Sequence, residues 1–146
     1  MLKQDHFIAA QLVSMGWRFG QSYSGGHMAG QMVMHTLANR VRLGWANWLT
    51  TIEHVPQFMA ENELPPLVFP PLWEPSFVKL LHAVEGVMDG SAPDLTKGAL
   101  YWGDLAKIER PWFRENIVQA MKPNFEGVMI PHHERVANLN GLNFWR

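Results

Sequence analysis

Acid–base chemistry needs side chains that hold or release a proton near neutral pH, and this sequence offers few in useful places. Cysteine is absent, which removes thiolate nucleophiles, disulfides and thiolate metal sites together. Between Asp5 and Glu53 there is no acidic residue. Glu53 stands at the end of a short helical stretch, and Glu85 lies beside the apolar stripe of a longer one. An apolar neighbourhood raises a carboxyl pKa and suits a general acid. The ordinary alternative for both is a carboxylate standing in water at a helix surface. Gln21 and Ser22 occupy a glycine-rich loop, residues 20–26. Their side chains can hydrogen-bond a ligand but cannot protonate a leaving group. His132, His133 and Glu134 are consecutive, and neighbours on an extended segment point to opposite sides, so they chelate one ion poorly. His27 and His35 are more than two helical turns apart. No metal site and no cofactor are expected.

The elements that must position these groups follow from apolar spacing. The stretch 25–40, GGHMAGQMVMHTLANR, is the centre of the reading. Gly30, Val33, Met34, Leu37, Ala38 and Val41 fall on one helical face, which predicts a helix over 27–43. Gly30 leaves a notch into which another backbone fits, so this helix is expected to be the most buried and to touch those on either side. Asp5 is a candidate N-cap for a helix over 6–19, with Ile8, Leu12, Met15 and Phe19 inward. Residues 45–53 predict a short helix, and 51–58 run into a proline-bounded segment. Residues 61–75 hold five prolines among apolar side chains, which excludes a regular helix or a central strand. Ser76 is a candidate cap for a helix over 77–88, ended by Gly90. A strand is expected over 99–102, a helix over 112–121 behind Pro111, and two strands over 125–130 and 136–145. The expected fold is α+β, a mostly helical single domain over 1–146 with a small hairpin or sheet in the C-terminal half.

Bulk composition narrows the function. The 146 residues are 47% hydrophobic and 17% charged with a net charge of -1, so the chain can bury a core and lacks the basic face of a nucleic-acid binder. No apolar run reaches membrane-spanning length, and the first twenty residues are amphipathic rather than a signal peptide. Seven tryptophans against two tyrosines supply indoles for the core and flat platforms for a sugar.

Four separated pieces resemble the spore-cortex-lytic type of bacterial and phage cell-wall hydrolases. Gly30-Gln31 leading into Asn39-Arg40-Val41 is similar to that family's helix ending in an Asn-Arg-Val turn. Residues 52–58, IEHVPQF, are similar to its segment ending in Gln-Phe. Asp94-Leu95-Thr96-Lys97-Gly98-Ala99, followed by Tyr101 and Trp102, is similar to its Asp-Pro-Thr-x-Gly-Ala before aromatics. Residues 141–145, GLNFW, are similar to its closing Gly-x-x-Phe-aromatic. The order and spacing hold over residues 10–146, nearly the whole chain.

The resemblance implies a lysozyme-like domain that cleaves the glycan strand of peptidoglycan as a lytic transglycosylase or glycosidase. It implies a catalytic glutamate in the loop before the central helix, where this chain has Gln21 or Ser22. The acid then comes from elsewhere, with Glu53 and Glu85 as substitutes, or is missing. Substrate contacts are implied at Asn39, Gln57, Phe58, Asp94, Thr96, Gly98, Tyr101, Trp102 and Trp112, with Gln21, Gly98, Tyr101 and Trp102 lining one groove. Asn39, Asp94 and Thr96 have a structural alternative, the tying of turns, and the aromatics have a core alternative. Two functions are expected: a phage-encoded wall-degrading enzyme, or a catalytically inactive homologue serving as a structural or wall-binding part of a phage particle. The expected partners are the peptidoglycan glycan and, through residues 65–75, other virion proteins. The expected location is the virion, or the host cytoplasm before lysis.

Overall fold

In a computed structural model, which describes residues 3–23, 26–59, 63–66 and 73–146, the central helix α2 runs His27–Arg42. Ala29, Gly30 and every residue from Met32 to Ala38 are buried. Helix α1, Lys3–Gly20, packs along it and buries Ile8, Leu12, Val13, Met15, Trp17 and Phe19. The two backbones meet at glycines. A Cβ on Gly30 would overlap the Gly16 carbonyl oxygen, and one on Gly16 would lie 2.9 Å from the Gly30 oxygen. One turn along, a Cβ on Gly20 would lie 2.6 Å from the Gly26 oxygen. Gly16 and Gly20 on α1 therefore face Gly26 and Gly30 at the start of α2, and only glycine lets these chains approach so closely.

Helix α3, Trp48–Phe58, is capped by the Asn47 side chain, which accepts from the Thr50 amide at 2.8 Å. It continues through Pro56, which falls in the last turn where one lost backbone bond is tolerated. Helix α4, Pro75–Asp89, packs on α1 and α2 with Phe77, Leu80, Val84 and Val87 buried. Its N-cap is Glu74, not Ser76 as expected, because Pro75 takes the first helical position where its missing N–H costs nothing. Gly90 ends the helix in the left-handed conformation, as expected.

The C-terminal half carries two small antiparallel sheets. Strand β1, Tyr101–Asp104, pairs with β5, Leu142–Trp145, which pairs on its other edge with β4, Arg135–Leu139. Strands β2, Met121–Pro123, and β3, Met129–Pro131, form a separate hairpin. All four residues of β5 are buried because both its faces are covered. Leu142 and Phe144, with Trp102 of β1, join the helical core, while Trp145 joins Ile108, Phe113 and Ile117 in a second cluster. The period-two alternation of a strand sends these side chains to opposite faces. The fold is α+β.

Several boundaries differ from expectation. The strand expected over 136–145 is a hairpin, β4–β5, which turns at Asn140 and Gly141, both with positive φ. The strand expected over 125–130 is shortened to β3, because the Asn124 side chain binds the amides of Glu126 and Val128 and holds a turn. The helix expected over 112–121 is a short α turn, α5, Pro111–Phe113, followed by a π turn, Arg114–Val118, closed by Gln119 N–H on the Arg114 carbonyl at 2.8 Å. Residues 67–72, the heart of the apolar proline segment, lie outside the described residues; Trp73 beside them is 82% exposed. No helix among the described residues is long and apolar enough to cross a membrane.

Candidate functional site

Gln21 stands exposed just past the end of α1, its amide bonded to the Trp17 carbonyl at 3.1 Å. It lines a recess of about 380 Å³ with Trp17, Gly20, Tyr23, Gly26, Glu74 and Ser76. The recess exists because the glycine pairs bring the end of α1 against the start of α2, and α4 begins beside them. Glu74 is the only carboxylate among these lining residues, and its Oε1 accepts from the Ser76 amide at 3.4 Å. The Trp17 indole is 7% exposed, and its N–H has no acceptor among the described residues. Tyr23 donates its hydroxyl to Asp104 Oδ2 at 3.3 Å. Burial, reinforced by the Asp104 charge and this bond, pushes the Tyr23 pKa well above the ordinary phenol value. Ser22 is exposed and is not one of the walls.

The Asn-Arg end of α2 does structural work. Asn39 Nδ2 donates to Asp94 Oδ2 at 2.9 Å and to the Ala99 carbonyl at 3.0 Å. Asp94 also accepts from the Thr96 amide and hydroxyl at 2.8 and 2.6 Å and from the Gly98 amide at 3.0 Å. Partial burial works against the Asp94 charge, but these bonds outweigh it and hold the carboxyl below its ordinary range. Thr96 is fully buried, and Gly98 takes a positive φ of 86°. Asn39, Asp94, Thr96 and Gly98 thus form one knot that fastens the 94–99 turn to α2. Every polar group of Asp94 that the structure shows is spent inside it.

Tyr101 and Trp112 line a different cavity, of about 660 Å³, with Arg40, Trp45, Thr51, His54 and Arg110 among its other walls. It has no lining residue in common with the Gln21 recess. Gly26 and Arg40 are fourteen residues apart along α2, about 20 Å at the helical rise. The expectation of one groove holding Gln21, Gly98, Tyr101 and Trp102 is therefore corrected. Trp102 is 3% exposed, with its ring edge-on to Phe19, and belongs to the core. Glu53 is exposed on α3 and lines neither cavity. Glu85 is exposed on α4 in a third recess with Asp5, Trp48, Met88 and Asp89. The side chains of Gln57 and Phe58 lie outside the described residues. No cluster of three or more potential metal ligands occurs among the described residues.

Glu74 is the residue that sequence reasoning missed. Its place before Pro75 is a readable N-cap signal, but nothing in the local pattern shows that the start of α4 reaches the Gln21 loop. No family model, characterised protein or solved structure matches this chain.

Proposed function

We propose that the chain is a peptidoglycan-directed domain of lysozyme-like type that cleaves the glycan strand, with Glu74 acting as the acid where the resembled family has a glutamate at the position of Gln21. The observation that carries this reading is the shared recess: a carboxylate stands beside the very loop from which the resemblance implies that an acid should act. One carboxylate suits a lytic transglycosylase. Protonated Glu74 would give its proton to the glycosidic oxygen, and the same carboxylate would take a proton from the muramic acid hydroxyl as it attacks the anomeric carbon. A hydrolase would normally need a second carboxylate to activate water. Gln21, exposed on the rim of the recess, would hold sugar hydroxyl or acetamido groups. The setting proposed with this activity, a phage particle or the host cytoplasm before lysis, rests on the resemblance alone.

The test is a turbidity assay on purified peptidoglycan with mass spectrometry of the released fragments. Anhydro-sugar products that vanish with Glu74→Gln and persist with Glu53→Gln and Glu85→Gln are expected. Loss with Glu53→Gln or Glu85→Gln and not with Glu74→Gln would overturn the assignment. A second reading, an inactive homologue that binds wall or virion, is favoured by the glutamine at position 21. It predicts sedimentation with peptidoglycan and no fragments at all.

A further inference from the structure

The 660 Å³ cavity at the other end of α2 has the composition of a ligand site in its own right. Its walls are mainly rings. Trp45 and Trp112 are 48% and 61% exposed, although both line the cavity. Two guanidinium groups reach it, and they differ in kind. Arg110 is held by Glu63 through two bonds of 2.7 and 2.8 Å, so its charge is balanced. Arg40 donates Nε to the Leu100 carbonyl at 2.7 Å and lies 4.9, 5.5 and 5.9 Å from the ring centroids of Trp102, Trp45 and Tyr101. No acidic side chain of a described residue pairs with it. Thr51, 4% exposed, is a further wall, and its hydroxyl has no partner among the described residues.

A caged cation without an anion is costly, because ring faces replace only part of the lost water. Burial, helped by the neighbouring Arg110 charge, pushes the Arg40 pKa down to about 10 despite the opposing influence of Tyr101. At neutral pH the group still carries its charge. Among the described residues, the cavity thus combines one positive charge without an acidic partner, one hydroxyl without a bonding partner and flat apolar walls.

We propose that this cavity binds a small monoanionic carboxylate with a planar apolar body, the carboxylate meeting Arg40 and Thr51 and the body lying against Trp45 and Trp112. A single guanidinium with no acidic partner among the described residues matches the charge of one carboxylate. A phosphate dianion would need a second free cation, and Arg110 is committed to Glu63. The site stands apart from the proposed glycan chemistry and does not depend on it.

The test is calorimetric titration of the intact chain with naphthoate, naphthylmethanol, naphthylmethylamine and naphthyl phosphate, which share one body and differ in charge. Naphthoate should bind at least about tenfold more tightly than the alcohol, the ratio expected for a hydrogen bond to a charged group. The amine should bind most weakly of all, and the phosphate no better than naphthoate. Thr51→Val removes an unpartnered hydroxyl without changing shape, so the protein should fold normally and lose affinity for naphthoate but not for the alcohol. Trp112→Ala should weaken both alike. Equal binding of naphthoate and alcohol, tighter binding of the phosphate, no binding of naphthoate at millimolar concentration, or unchanged affinities in both variants would each overturn the proposal.

Discussion

Replacing Gly30 by alanine probes the contact on which the helical layer rests. The added Cβ would overlap the Gly16 carbonyl oxygen, sit 2.9 Å from the Gly16 carbonyl carbon and 3.2 Å from Leu80 Cδ1. The first two are backbone atoms, so no change of rotamer relieves the contact and α1 must move off α2. Overpacking costs about 1–3 kcal/mol, and a backbone obstacle puts this site at the upper end. Alanine in place of glycine inside a helix returns about 1 kcal/mol. The net loss should be about 2 kcal/mol. In a chain of 146 residues each kcal/mol moves Tm by roughly 2–4 °C, so the variant should melt roughly 4–8 °C lower in a calorimetric scan. Gly30→Leu should cost more still. Gly16→Ala meets the Gly30 oxygen at 2.9 Å and Met34 Sδ at 2.8 Å, so it should also destabilise. The double variant should then cost less than the sum by at least about 0.5 kcal/mol, since helices already parted accommodate both methyls. A Gly30→Ala protein melting at or above the native temperature would refute the reasoning, because the helix-propensity gain alone would then be at work.

Three further outcomes are expected. His35 is 1% exposed, and neither ring nitrogen has a partner among the described residues, so His35→Leu should leave Tm unchanged or raise it in a thermal melt. Burial lowers the His35 pKa, with Asp94 and Arg42 pulling in opposite directions, so the unfolded chain takes up the proton first. Stability is therefore full above the unfolded value of about 6.5 and declines as pH falls below it; melts across that range should be flatter for His35→Leu, and identical slopes would count against it. Asp94→Ala removes the acceptor of four bonds and should cost about 3 kcal/mol in a denaturant titration. Its folded pKa lies below the unfolded value of about 3.9, so its contribution is present above that pH and is lost as pH falls through the folded value; Asp94→Asn should blunt this acid-side loss. Glu74→Gln removes the proposed acid from the recess and should lower glycan cleavage by about 100-fold, within the range of a general acid; unchanged turnover would show that the recess is not where the bond breaks.

The helical layer was largely legible because its signals are local. The apolar face of α2, the notch at Gly30, the stop at Gly90 and the helix start at Pro111 all depend on residues a few positions apart. Gly16 was not legible, since a single glycine in a helix pattern carries no mark of the backbone it will meet. The Asn140-Gly141 turn was present as a hairpin signal, yet the apolar residues on both sides read as one continuous strand. The candidate site was harder. Asn39 and Asp94 are joined as their turn chemistry allows, but the distance between Gln21 and Tyr101 depends on how α2 is laid across the fold. Glu74 enters the recess through α1–α4 packing, which no spacing in the sequence encodes.

The glycine-faced corner between α1 and α2 also bears on the order in which the chain assembles. Six residues join the two helices, so closing their contact costs little chain entropy. The knot that docks the sheet onto α2 must instead bridge the 55 positions between Asn39 and Asp94. Contacts near in sequence form sooner than contacts far apart. The α1–α2 pair is thus the part of this fold able to serve as a nucleus, with the sheet condensing on it later. Parting the pair at Gly30 should then slow refolding in a stopped-flow measurement, while loosening the knot at Asp94 should chiefly speed unfolding.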